Sequence, residues 1–254
     1  MVSNEAWEAI FSKYDIDNHD FDKIPFEITS NDIKSATQHF KKTNQKEVRI
    51  LCKQDSREDR PTVFKDRGLF LLPKKNGQYY IIKGEGYLDI PPILSEPIEY
   101  HSKLDFCLDT SLIGNSEMQH LDFAYATSLI RTFMDDDSLV LTIRGRKYTP
   151  EFSFYVNKFL INTKSVQTEV DAGYEGREQV VLVEAKNSTS KNTIIRQLYY
   201  PFRQWSNHTD KKVKCVFFEK QGDIYNIWEF IFLNGDNYNS YQVSRSQKYK
   251  IICK

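Results

Sequence analysis

The chain has no apolar run approaching the roughly 20 residues that a membrane-spanning helix needs. Its start, MVSNEAWEAI, lacks the basic residues and apolar centre of a secretory signal. A soluble protein of the cytoplasm, without membrane contact, is the expectation. Cysteine is sparse: Cys52, Cys107, Cys215 and Cys253 lie far apart with no CxxC pairing, and they read as reduced thiols that serve packing. An excess of charge is also missing. The 35 Lys and Arg balance the 35 Asp and Glu, which argues against a protein that coats nucleic acid without regard to sequence.

What is present is a globular composition. With 40% hydrophobic and 28% charged residues, disorder is excluded, and 254 residues can form one large domain or two small ones. Charge is unevenly distributed. Acids outnumber bases up to His39, whereas the stretch from Phe40 to Glu85 is basic and includes Arg57 and Arg60, which suggests a face for phosphate or else a solvated surface of mixed charge.

Trp7, Ile10 and Phe11 have helical spacing, and Thr29 or Ser30 before Asp32 and Ile33 reads as the capped start of a helix ending near Lys42. In GLFLLPKKNGQYYIIKG, Asn76 and Gly77 stand between a pair of apolar runs, as in a β-hairpin. Helices followed by a hairpin make residues 1–95 a small α+β subdomain, either a winged-helix-like reader of DNA or an accessory layer. Pro91, Pro92 and Pro97 in DIPPILSEP forbid regular structure and set the boundary with residues 96–254.

Ser116 with Gln119 forms a capping-box pattern ahead of a helix expected from about Glu117 to Phe133, with Leu121, Ala124, Tyr125, Ser128 and Leu129 inward. Two readings of Glu117 stand: an acid favoured by the helix dipole, or an acid aimed toward a metal. Three strand candidates follow, through RGRKY to VQTEVDAG. Asp135, Asp136 and Asp137 are consecutive, so they cannot all face one ion and read as a solvated loop.

The most informative stretch is VQTEVDAGYEGREQVVLVEAKN. Alternation puts Gln167, Glu169 and Asp171 on one face of a strand, and Val180, Leu182, Glu184 and Lys186 on one face of the next, after a turn around Gly173 or Gly176. Asp171 and Glu184 can then meet across a hairpin. An exposed Glu184–Lys186 pair on an edge strand would explain the charges without function. Apolar residues on both faces of QVVLVEA point instead to a central strand. Two carboxylates and a lysine at a strand end suit Mg²⁺, which takes few protein oxygens and leaves positions for water and phosphate.

Asp171 followed by Glu184, Ala185 and Lys186 after an apolar strand resembles the PD-(D/E)XK nuclease superfamily, and the wider pattern over residues 114–205 looks like its type II restriction endonucleases. The resemblance implies a restriction-endonuclease-like α/β (α+β) core with a central mixed β-sheet flanked by helices. It further implies a Mg²⁺-dependent, sequence-specific cut in double-stranded DNA, with Asp171 and Glu184 as metal ligands and Lys186 as the catalytic lysine. Glu117 matches the acid that many members carry on the helix before the sheet, and Gln197 and Tyr200 in QLYY resemble a downstream Gln-Tyr motif. Val170 stands where the family label has Pro, Glu169 competes with Asp171 as the closer ligand, and Pro201 interrupts the helix of Gln197. A homodimer and a companion DNA methyltransferase are expected partners. Arg144, Arg146, Lys147, Arg196 and Arg203 are candidate DNA contacts, a role that a solvated face explains equally for the last two. A structure-specific repair or recombination nuclease and a noncatalytic DNA-binding module are the alternatives.

Overall fold

Ser3 caps α1 (Asn4–Lys13), in a computed structural model that describes residues 3–253. Trp7, Ile10 and Phe11 are buried on the inner face of this helix, and the Trp7 indole N–H donates to the Leu51 carbonyl at 3.1 Å. After β1 (Phe26–Thr29), Thr29 and Asp32 close a reciprocal capping box on α2 (Ser30–Thr37). The helix ends there rather than near Lys42, and two single turns follow, α3 (Thr43–Lys46) and α4 (Val48–Leu51), then a third, α5 (Thr62–Lys65).

The expected hairpin is formed by β2 (Leu69–Lys75) and β3 (Gln78–Lys83), with β1 on the far side of β3 in antiparallel order β1-β3-β2. Gly77, with φ of 75°, supplies the left-handed residue of the turn. The alternation of this hairpin serves two cores. Leu69, Leu71 and Ile81 pack with α1 and α2, while Phe70, Leu72, Tyr80 and Ile82 join the core of the remaining chain.

Next, β4 (Tyr87–Asp89) and β5 (Ile98–His101) flank the proline-rich stretch, which is irregular. The expected long helix divides into α6 (Glu117–Ala126) and α7 (Leu129–Met134), because Ser128 takes a left-handed conformation with φ of 66°. In the place of three expected strands stand four: β6 (Val140–Tyr148), β7 (Phe152–Val156), β8 (Phe159–Thr163) and β9 (Gln167–Glu175). Then come β10 (Gln179–Lys186), β11 (Asn192–Ile194), α8 (Arg196–Ser206), β12 (Lys212–Gln221), β13 (Ile224–Phe232) and β14 (Tyr241–Ile252).

Seven strands form one mixed sheet in the order β5-β14-β13-β12-β10-β9-β6. β10 runs antiparallel to β9 and parallel to β12, and α8 lies in the crossover between the parallel pair. Residues 179–183 are buried without interruption, as expected for a central strand covered on both faces. On one face, Ala172, Tyr174, Val181 and Val183 pack against α6 and α7; on the other, Val180 and Leu182 meet Val170, Ile143 and Trp205 of α8. The protein is thus a mixed α+β fold with a large sheet flanked by helices. No helix among the described residues is long and apolar enough to cross a membrane.

Candidate active site

The β9–β10 ladder ends at the pair Val183↔Ala172. One step further, Asp171 opposes Glu184, but the strands have diverged. The Asp171 carboxylate replaces the missing pairing and accepts the Ala185 N–H at 2.8 Å. The turn joining the strands lies at residues 176–178, so Gly173 is a strand residue paired with Leu182.

A bulge sharpens the geometry. On the outer side of β9, Gly173 pairs with Ile143 and Val170 with Gly145, so Asp171 and Ala172 together face the single residue Arg144. The extra residue shifts the alternation: Thr168 bonds Gln204 of α8 and Val170 packs on that side, whereas Ala172 and Tyr174 bury toward α6 and α7. Asp171 sits at this shift.

Glu184 and Lys186 share the next face. Lys186 Nζ donates to Glu184 Oε1, and the lysine and glutamate side chains are 26% and 10% exposed, respectively. Burial first, and then the Asp171 charge against the opposing pull of Lys186, push the Glu184 carboxyl up to about 7. Burial likewise raises Asp171, against the Ala185 N–H and Lys186. For Lys186 burial is the largest single influence and acts downward, but the charge and hydrogen bond of Glu184, together with the charges of Glu117 and Asp171, hold the ammonium above its ordinary value.

These groups line a cleft of about 780 Å³ together with Glu117, Glu169 and Gln197, and with parts of the N-terminal unit between Ser30 and Tyr79 on its other side. Glu117 opens α6 beside them because Asn187, directly after Lys186, donates to the Asn115 carbonyl at 2.7 Å. Half of the expected capping box is realised. Ser116 accepts the Gln119 N–H, while the Gln119 amide turns back to carbonyls of residues 110–113.

The tail of the motif, Gln197 and Tyr200, lies on α8 and borders the same cleft. Pro201 lies inside α8, where it cannot donate to the Gln197 carbonyl. Gln197 reaches the cleft and accepts the Thr193 hydroxyl. Tyr200, the other residue of the Gln-Tyr pair, also lines the cleft but is only 1% exposed, with its hydroxyl donating to the Pro73 carbonyl at 2.8 Å and its ring edge-on to Phe152. The aromatic core between α8 and the N-terminal hairpin has drawn it in.

The candidate DNA arginines have partners within the chain. Arg144 pairs with Asp122, Arg146 with Glu169 at 3.3 Å, Arg196 with Asp55 at 3.4 Å, and Arg203 with Asp236 at 2.9 Å. Arg57 bridges Asp89 and Glu85, and Arg60 bonds the Leu69 carbonyl with its guanidinium 5.1 Å over the Tyr87 ring. Lys147 is exposed at the end of β6, away from the cleft lining. Asp135 and Asp137 are exposed as expected, while Asp136 accepts from Ser138 and Gln179. Sequence reasoning passed over Lys34 and Asp55, and counted Arg49 and Lys53 only as members of a basic segment; which cations face the cleft depends on how the N-terminal unit docks.

Asp171 and Glu184 fit Mg²⁺, a hard cation that commonly takes one or two protein carboxylates and fills its shell with water and phosphate. Two carboxylates whose proton affinity is raised by burial, that of Glu184 further by the Asp171 charge, are groups that a cation would relieve. Among the described residues, no group of three or more His, Cys, Asp and Glu side chains forms an all-protein metal cage.

A family model described as Domain of unknown function (DUF6997) matches residues 82–250, and one described as Domain of unknown function (DUF6996) matches residues 4–81. The boundary between them falls inside β3, at the step from Ile81 to Ile82, in the hairpin whose two faces serve the two cores. No curated protein and no solved structure matches the chain. The chain belongs to the DUF6997 family.

Proposed function

We propose that this member of the DUF6997 family is a Mg²⁺-dependent endonuclease of restriction type, hydrolysing phosphodiester bonds in double-stranded DNA from a restriction-endonuclease-like core. The observation that carries the proposal is the meeting of Asp171, Glu184 and Lys186 at the diverging end of two central strands, in the floor of a cleft. A buried charged trio in the middle of a sheet costs stability, and such arrangements cluster at functional sites.

Asp171 and Glu184 would hold the cation, with Glu117 at the rim. Bound there, Mg²⁺ supplies charge stabilisation at the scissile phosphate and an acidified water. The chain's own residues supply the rest. Lys186, held protonated by Glu184, places a positive charge where charge builds on the phosphate and orients the attacking water by donating to its oxygen. Asp171 is fixed by the Ala185 N–H, so its second oxygen stays directed by the backbone and not by a free rotamer. Gln197, anchored by Thr193, lines the same cleft as a polar neighbour of the phosphate.

The test is digestion of plasmid and phage DNA with purified protein. Discrete fragments that require Mg²⁺ are expected, as is loss of cutting in Glu184→Gln with DNA binding retained. Intact DNA across the panel would reject the function, and smeared, sequence-independent products would reject the restriction type.

A further inference from the structure

The cleft is not uniformly basic. Its lining holds the acids Glu47, Asp55, Glu117, Glu169, Asp171 and Glu184 against the bases Lys34, Arg49, Lys53, Lys186 and Arg196. Four of the six acids belong to the core side, so an anionic polymer can approach them only with compensation from elsewhere. The core's cations in the cleft are already engaged, Lys186 by Glu184 and Arg196 by Asp55.

On the N-terminal side the situation is reversed. Lys34 on α2, Arg49 on α4 and Lys53 just beyond it are all exposed. Lys34 and Arg49 form no ion pair among the described residues, and Lys53 makes a long contact of 3.8 Å to Asp55, which Arg196 already engages. The segment after Lys53 is fastened to the core. The Ile194 N–H donates to the Asp55 carbonyl at 2.8 Å, the Arg57 N–H to Asn192 Oδ1 at 2.7 Å, and Asn192 Nδ2 to Glu58 at 2.9 Å. These bonds end at β11, just ahead of α8, the helix that carries Gln197 into the cleft. The segment that follows Lys53 is therefore held against the core beside the cleft.

We infer that the N-terminal unit is the phosphate grip of the protein: Lys34, Arg49 and Lys53 contact the backbone of duplex DNA whose scissile phosphate lies over Asp171, Glu184 and Lys186. Flexible cations suit this role because phosphates repeat along the strand and need charge more than exact geometry. The inference rests on the nuclease reading for the identity of the polymer and adds where it is held.

The test measures affinity for a fluorescein-labelled 30-base-pair DNA duplex in EDTA from 50 to 200 mM salt, so that binding is read without cleavage. For the Lys34→Ala, Arg49→Ala, Lys53→Ala triple variant, the slope of log affinity against log salt should flatten by about 0.9 for each phosphate no longer neutralised, about 2.7 in all. Over that fourfold salt range its affinity then falls about 40-fold less than that of the wild type. A control lacking Lys158, Lys212 and Lys250, exposed cations outside the cleft, should keep the wild-type slope. A thermal melt checks that both variants fold. Unchanged slope in the first variant, equal flattening in the control, or a wild type that does not bind the duplex overturns the inference. A wild type that binds with the expected slopes but cuts no DNA with Mg²⁺ leaves the grip standing and rejects the nuclease instead.

Discussion

The floor of the cleft and its N-terminal side are built on opposite terms. On the floor, Asp171, Glu184 and Lys186 extend from strands in the middle of a seven-stranded sheet, largely buried and already bonded to one another or to the backbone. On the N-terminal side, Lys34 and Arg49 extend into solvent from short helices and Lys53 from the chain just beyond α4. A group that must meet a reacting atom within a fraction of an ångström needs a rigid support, whereas one that only supplies charge to a phosphate does not. Rigidity has a cost on the floor, since burial works against each charge, and the two regions should respond differently to the same perturbation.

The largest difference should come from removing a floor charge. Lys186→Ala and Glu184→Gln should each lower cleavage by about 10²–10⁴-fold while DNA affinity changes little. Lys186→Ala also leaves Glu184 buried without its partner, at a cost of about 3–5 kcal/mol unless the carboxyl takes up a proton, so Glu184→Gln is the cleaner variant. Single-turnover cleavage and duplex binding, measured side by side, separate the effects. Wild-type-like cutting by a folded Lys186→Ala protein would remove Lys186 from the mechanism.

The second prediction concerns pH in protein freed of metal by EDTA. Burial raises Asp171, Glu184 and Glu219, the last an acid of β12 that accepts the Ser190 N–H at 2.7 Å. A carboxyl whose proton is held more tightly in the folded state stabilises fully below its unfolded value, and that contribution is lost as pH rises through the folded value. For Glu184, moving from 4.5 to about 7, the loss is on the order of 3 kcal/mol across that window. Melting temperature should therefore fall between pH 4.5 and 7, and Glu184→Gln should flatten the fall. Equal pH profiles for wild type and variant would show that Glu184 carries no such burden.

How far the chain's order disclosed this site follows from the range of each interaction. The Asn76–Gly77 hairpin, the helix start at Ser116 and the double-sided burial of β10 depend on neighbours in sequence, and all three are found in the structure. The break at Ser128 has no proline or glycine to announce it. The bulge that turns Asp171 is a mismatch between β9 and β6, invisible to the alternation of either strand alone. Partners were the least legible, since Arg196 meets Asp55 and Tyr200 meets Pro73 across more than a hundred residues.

Tyr200 gives a third and smaller test. Tyr200→Phe removes the hydroxyl that bonds the Pro73 carbonyl and should cost about 1–2 kcal/mol of stability, read from denaturant unfolding, with cleavage at permissive temperature unchanged. A tenfold loss of cutting without loss of stability would instead put the hydroxyl in the reaction, as the downstream motif of the resemblance implies.

The smallest effect is expected at the rim. Arg146 and Glu169 form a pair at 3.3 Å with both side chains more than half exposed, and such pairs contribute about 0–1 kcal/mol. Arg146 does not line the cleft although Glu169 does, so the arginine's charge is largely spent on its neighbour. Arg146→Ala should leave stability within about 0.5 kcal/mol and leave the salt slope of duplex binding unchanged. Lys34, Arg49 and Lys53 differ from it in lining the cleft and in being unpaired or only loosely paired. If Arg146→Ala flattens the slope as much as removing one of those three, exposure alone governs the contact with DNA, and the boundary drawn between a committed floor and an available N-terminal side would have to be moved outward to include β6.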